Sequence, residues 1–379
     1  MLQTPVRVLQ TMRPAVAAGV LAATAVSTVV FSATPFLIRG VSVDQSVDVA
    51  TVGVISTAQL AGFSATTWAA GRFLRARRRM LVIAVFVGVI ANLASGWAPW
   101  FSFLVGARLV SGVSLGLIAW IAWAEVFGDD DKVGDVAVIG PLVGTIASPI
   151  IAVVIDRSGP DALFYGLAAI YLVPLAFIRT TNLDAAARPK QERNRPTRAA
   201  AAILLSLGAV TCGGSAVFIF AGVIGQDLVG LSPFVVSLVF SANALASVPS
   251  ARYRGKRTLP GLWMSVTGAM ALAICFLHEP VVFWIALPLW GFSFWMGTPG
   301  AFSLLAERSR YPQERAGDAQ SIMAAGRVIG PLVGGAAYAV SPATLGVVGG
   351  GIMLAAGALM LYVEWRIHPD VLGGLVHTS

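Results

Sequence analysis

Hydrophobic residues run along this chain in long blocks, and polar residues are confined to the short stretches between them. A helix rises about 1.5 Å per residue, so crossing a hydrocarbon layer about 30 Å thick takes about 20 apolar residues. By that measure the pattern predicts twelve spanning helices, over 14–38, 49–70, 80–98, 101–123, 133–155, 162–178, 199–224, 232–250, 258–277, 281–305, 318–340 and 343–363. The sixth is short, and only Ser341-Pro342 separates the last two. The stretch Arg179–Arg198, with Pro189 and Pro196 in it, is the one long polar interruption and divides the spans six and six. Met1–Arg13 and the apolar run after it suggest a secretory leader. That run is too long for one, so an uncleaved first span is expected. The reading is an all-α polytopic membrane protein of twelve transmembrane helices in two pseudo-symmetric six-helix bundles. The bundles are 1–178 and 199–364, with a linker at 179–198 and a tail at 365–379.

A repeated word supports the division into halves. Val138-Ile139-Gly140-Pro141-Leu142-Val143-Gly144 recurs as Val328-Ile329-Gly330-Pro331-Leu332-Val333-Gly334, half a chain later. Repetition at that offset marks a duplicated unit. Both copies lie inside apolar runs. There Gly allows close helix packing, and Pro removes a backbone donor and bends the axis.

Composition excludes several function classes. With 57% hydrophobic and 12% charged residues, the chain is not a soluble globular protein. Cys212 and Cys275 both lie in apolar runs and no histidine does, so neither a disulfide framework nor a metal site is expected. No HExxH, P-loop or GxSxG motif occurs, so the chain reads as a non-enzyme without cofactor.

The net charge of +8 is a topology signal. The basic residues gather on the side of the termini and linker, in Arg72–Arg79, the linker itself, Arg252–Arg257 and Arg308–Arg315. The opposite side holds only Arg39 and Arg157. The positive-inside rule then makes the termini and the linker cytoplasmic, in a multi-pass protein of the cytoplasmic (inner) membrane. Nucleic-acid binding is not expected; the partners are the lipid bilayer and a small-molecule substrate, and the expected state is a monomer.

Two basic residues, Arg108 and Arg327, fall inside spans, whereas every Asp and Glu falls in a loop or at a span end. A charge within the bilayer is costly and marks a functional candidate. Arg327 is open to a second reading, as an anchor for carbonyls freed by Pro331.

Twelve spans, duplicated halves and a basic central loop resemble the major facilitator superfamily of secondary transporters. Arg108-Leu-Val-Ser-Gly112-Val-Ser-Leu-Gly116 is similar to the family's Arg-x-x-x-Gly-x-x-x-Gly pattern in span 4. Gly140-Pro141-x-x-Gly144 resembles its span 5 antiporter signature, which places the chain nearest the drug/proton antiporter branch. The loop Gly71-Arg-Phe-Leu-Arg75-Ala-Arg-Arg78-Arg79 is similar to the cytoplasmic gate motif, with Arg75 where the family has Asp. An Arg would be repelled by the helix N-terminus that receives that Asp. A pair between Arg79 and Glu125 is the part of the gate expected to survive. Before the first Gly-Pro, Gly134-Asp135 stands two helical turns nearer than Gly317-Asp318 does to the second, so either Asp129–Lys132 reaches toward the membrane or the Gly-Pro bend sits nearer the cytoplasm.

By the same resemblance, spans 1, 4, 7 and 10 line a central cavity, and transport proceeds by rocking one half against the other. The candidates there are Phe31 and Thr34, Arg108, Ser215 and Phe218, then Trp290, Phe294, Trp295 and Thr298. Amphipathic aromatics with a few hydroxyls suit a flat organic substrate. The family's proton antiporters carry a carboxylate in span 1 or 4, and here there is none, which leaves Asp48, Glu125 and Asp135 to carry protons. Three readings follow. The first is proton-coupled efflux of small amphipathic compounds. The second is a carrier of organic anions built on Arg108, and the third is a non-transporting membrane scaffold.

Overall fold

The computed structural model describes residues 16–126, 130–181, 194–253 and 255–366. The helices, in chain order, are α1 (Ala18–Asp44), α2 (Val49–Phe73), α3 (Arg78–Gly96) and α4 (Phe101–Val126). A single helical run, Asp130–Ile170, then breaks at Gly159 into α5 (130–158) and α6 (160–170). The second half holds α7 (Arg198–Asp227), α8 (Pro233–Ala251), α9 (Pro260–Phe276), α10 (Pro280–Glu307) and α11 (Pro312–Val340). The last helix, α12, opens as Pro342–Leu345, passes a π-helical stretch at Gly346–Gly350 and continues as Gly351–Arg366.

Local chemistry explains the breaks. Proline begins five of the six second-half helices at a position where its missing N–H costs nothing. Asp48, Thr197, Ser232 and Ser341 accept from the first free backbone N–H groups of α2, α7, α8 and α12. Ser341-Pro342 is enough to separate the last two spans, because Ser341 is extended and Pro342 starts the next helix. The fifth and sixth spans differ from expectation. Their connection is one residue, Gly159, at φ 79°, and Pro160 restarts the helix at once. Both Gly-Pro strings stay helical throughout; the break in this part of the chain lies at Gly159 rather than at Pro141.

The two halves repeat one packing scheme. In the first, α1 packs on α5, α2 on α4, and α3 on α4 and α6; in the second, α7 packs on α11, α8 on α10, and α9 on α10 and α12. Across the halves α2 meets α11, α5 meets α8 and α1 meets α7. The glycine motif of α4 does what its spacing implies. A Cβ on Gly112 would lie 1.9 Å from the Gln59 carbonyl and one on Gly116 2.6 Å from that of Phe63, so α4 rests directly on the α2 backbone.

The halves touch from mid-depth to the end away from the linker. There Ser241 of α8 donates to the Thr145 carbonyl of α5 at 2.7 Å, and Phe36 and Phe240 stack edge to face. Beyond them Gly222 abuts Pro35, and Gly335 abuts Ala50. On the linker side, a Cβ on Gly71, Gly140 or Gly317 would meet nothing within 4 Å among the described residues, and Arg72, Phe73 and Leu74 are exposed. Among the described residues, these contacts between the halves thus gather at the end away from the linker.

Candidate functional site

At mid-depth, between the halves, lies a cavity of about 320 Å³. Phe31, Thr34 and Pro35 of α1 and Ser56, Gln59 and Leu60 of α2 form its first-half wall. The second-half wall combines Thr211, Ser215 and Phe218 of α7, Asn243 and Ser247 of α8, Trp290, Phe294 and Trp295 of α10, and Arg327 of α11. Aromatic faces set its shape. Phe218 lies against Trp290 at 5.9 Å between ring centres, and Phe294 meets Trp295 edge-on at 6.2 Å.

Much of the polar lining is already occupied. Thr211 donates to the Leu207 carbonyl at 2.9 Å and Ser215 to the Thr211 carbonyl at 2.7 Å, the usual recourse of a hydroxyl inside a helix. Asn243 donates to the Leu287 carbonyl at 2.6 Å, tying α8 to α10. Three wall groups have no such partner: the Ser56 hydroxyl, the Gln59 amide nitrogen and the Arg327 guanidinium. Arg327 is half-buried and has neither a hydrogen-bond acceptor nor an ion pair among the described residues. Its helix is held by the neighbouring face, where Gly326, Gly330 and Gly334 press on the backbone of α7. It does not anchor carbonyls at Pro331. Among the described residues it is the only charged side chain in the wall.

Arg108 has the opposite fate. It is 1% exposed, and it donates to Asn92 Oδ1 of α3 at 3.0 Å and to Gln59 Oε1 of α2 at 2.7 Å. Phe164 of α6 covers it, ring centre 5.1 Å away. The residue is thus a bolt through four helices of the first half, and its charge does not reach the cavity. A cavity role for Arg108 is therefore corrected: its glycine-motif face looks to α2, and α2 stands between it and the central space. Thr298 is also outside the wall, buried one turn beyond Phe294. The other seven sequence candidates do line the cavity.

The sequence model of the Major Facilitator Superfamily matches residues 16–335. The chain belongs to this family. No curated protein sequence matches it. Among solved structures, the human organic anion transporter MFSD10 (TETRAN) superposes with a TM-score of 0.64 at 14% identity, covering 94% of this chain and 100% of that one. A mutant form of the nucleoside transporter NupG gives 0.66 at 14%, covering 91% and 99%. A bacterial homolog of the human lysosomal transporter Spinster, inward-facing and occupied, gives 0.65 at 12%, covering 95% and 96%. These likenesses establish the fold.

Within this major facilitator fold, the gate departs from expectation. Arg75 and Arg79 are exposed, and Glu125 is half-buried without an ion pair to Arg79. Among the described residues, no ion pair joins Arg75 or Arg79 to the other half. Asp129 and the side chains of Asp130, Asp131, Lys132 and Asp135 lie outside the described residues, as do residues 182–193 and 367–379. Of the proton candidates, Asp48 is a helix cap, its Oδ2 accepting from the Ala50 N–H at 2.9 Å, and neither it nor Glu125 lines the cavity.

The expected lining helices need a second correction. α4 contributes nothing, while α2, α8 and α11 join α1, α7 and α10. Gln59, Ser56, Asn243 and Ser247 are neutral polar groups, which neither formal charge nor an aromatic ring marks in the sequence. An amide in the middle of an apolar run was the signal that could have found two of them.

Proposed function

We propose that this major facilitator protein is a secondary transporter of small amphipathic organic anions, whose anionic group meets Arg327 while an aromatic body lies on Trp290, Phe218 and Trp295. One observation carries the reading: the wall has one unpaired cation and, among the described residues, no carboxylate. An unpaired charge at that depth is costly unless a ligand completes it. The rest of the wall suits such a guest, being mostly aromatic and apolar with few polar groups. Arg327 takes the part expected of Arg108.

Proton-linked efflux is the competing reading, in keeping with the antiporter-like strings. In our reading the carboxylates it needs, Asp48, Glu125 and Asp135, act outside the binding step. We further propose that the linker side is cytoplasmic, on the charge asymmetry, so that the conformation is open inward in a cytoplasmic membrane. The rocking units are 1–178 and 199–364, with 179–198 as linker and 365–379 as tail.

The test uses an isosteric pair, 2-naphthoate and 2-naphthamide, titrated against the full chain in nanodiscs by tryptophan quenching. The parent should prefer the acid and Arg327→Gln should lose that preference. Equal affinity for both compounds in the parent overturns the reading.

A further inference from the structure

We propose that Gln59, with Ser56 one turn away, is the first-half share of the anion site, and that Arg108 is the positioning residue that makes Gln59 a donor. The proposal rests on the anion reading above and names how that site selects its ligand.

The argument begins with Arg108, which has five N–H donors and no acceptor. Whichever end of the Gln59 amide faces it must therefore be the oxygen. That bond is made at 2.7 Å, and Asn92, holding a second guanidinium nitrogen at 3.0 Å, fixes the fork. Asn92 is itself held in place, its amide nitrogen donating to the Gly88 carbonyl at 2.8 Å. With its oxygen committed, Gln59 can turn only its NH₂ to the rest of its surroundings. That nitrogen is buried and has no partner, although Gln59 is part of the cavity wall and only 4% exposed. Ser56, 2% exposed, carries a hydroxyl in the same condition. A buried donor left unmade is costly, and among the described residues of the first half neither group has an acceptor.

The helices bring these groups to the level of Arg327. A Cβ on Gly53 of α2 would lie 3.3 Å from the Pro331 carbonyl of α11, which fixes the register of two antiparallel helices. Descending from that contact at about 1.5 Å per residue, Ser56 lies about 4.5 Å below, Arg327 about 6 Å and Gln59 about 9 Å. The Arg327 Cα thus comes between those of Ser56 and Gln59 in height, and all three residues line the one cavity. Donors from both halves converge on one acceptor-rich group, a carboxylate or a comparable oxyanion. A neutral amide of the same shape keeps one accepting oxygen and sets its own NH₂ against the remaining donors. Such a ligand also bridges the halves, since Gln59 belongs to the first and Arg327 to the second.

The experiment uses the naphthoate and naphthamide pair on the full chain in nanodiscs, read by tryptophan quenching. Gln59→Glu keeps an oxygen for Arg108 but replaces the cavity donor with a carboxylate. Naphthoate affinity should fall about tenfold or more, as for loss of a hydrogen bond to a charged group, while naphthamide affinity holds. Arg108→Met frees the amide to turn, so the preference for acid over amide should shrink. Arg108→Lys keeps one donor on Gln59 Oε1 and should restore that preference, whatever it does to stability. A Gln59→Glu protein with parental naphthoate affinity overturns the donor role, and an Arg108→Met protein with parental preference overturns the positioning role. If Arg108→Met yields no folded protein, Gln59→Glu decides the donor role and Arg108→Lys the positioning role, which a loss of the preference in Arg108→Lys overturns. A parent that does not discriminate the two probes overturns the anion reading itself, which separates the two failures.

Discussion

Arg39, near the end of α1, pairs with Asp227 at the end of α7, 3.1 Å apart, so one ion pair joins the two halves at the end away from the linker. Its other guanidinium nitrogen donates to Gln226 at 2.9 Å. The two side chains are 46% and 36% exposed, and a solvent-screened pair of this kind contributes about 0–1 kcal/mol. Even about 1 kcal/mol changes an equilibrium about fivefold, enough to matter between two states of similar energy. Arg39→Glu should therefore shift the protein toward closure on the linker side. Spin labels on cysteines at Arg72 and Gln320, both exposed there, should report a shorter mean distance. Adding Asp227→Arg should restore the parental distance; no change in either protein refutes a closing role for the pair.

The duplicated heptapeptide allows a matched comparison. A Cβ on Gly330 would lie 2.0 Å from Ser215 Oγ and 2.5 Å from the Cys212 carbonyl, while one on Gly140 meets nothing within 4 Å. Gly330→Ala should force α11 off α7 at a cost of about 1–3 kcal/mol, the range for overpacking. Gly140→Ala should be neutral or slightly stabilising, because Ala is the better helix former. Thermal unfolding in detergent measures both, and similar losses would mean that the two copies pack alike.

That comparison marks where the sequence stops being informative. Span length, the half-chain repeat and the Ser-Pro break at 341–342 follow from local rules of hydrophobicity and capping, and they were legible. The connection at Gly159 is shorter than the apolar pattern implies, since a single left-handed glycine can end one helix just where a proline begins the next. The environment of each Gly-Pro string was invisible, because identical letters meet different neighbours. The same limit hid the two arginines. Both sit inside helices with the same chemistry, and what divides them is two amides, Gln59 and Asn92, supplied to Arg108 from other helices. Arg327 receives nothing comparable.

The sidedness proposal has its own check. Ser158, exposed beside the Gly159 break, and Arg72, exposed at the end of α2, lie on opposite sides of the bundle. With the linker side cytoplasmic, a cysteine at Ser158 should react with an impermeant maleimide in intact cells, and one at Arg72 only after permeabilisation. The native thiols lie within the helices, Cys275 buried and Cys212 partly so, which keeps the background low. The reverse pattern would invert the orientation.

The two buried arginines should part company when stability and binding are measured together. Arg108→Ala leaves the oxygens of Gln59 and Asn92 without their donor and removes the cation from beneath Phe164. Each buried polar atom left unpaired costs about 1–3 kcal/mol, so a loss of about 3 kcal/mol or more is expected. Arg108→Lys should recover part of it, since an ammonium can satisfy one oxygen but lacks the planar fork that reaches both. Arg327 has no partner to strand among the described residues. Removing it takes an unpaired charge out of the membrane, where a central arginine costs about 2.5–3.5 kcal/mol on insertion scales. Arg327→Ala should therefore unfold at the parental temperature or above it, while losing its preference for an anionic ligand. Stability gained where function is lost is the usual mark of a residue kept for binding. If Arg327→Ala instead destabilises the protein as much as Arg108→Ala, the guanidinium has a structural partner and the cavity has no cation to offer.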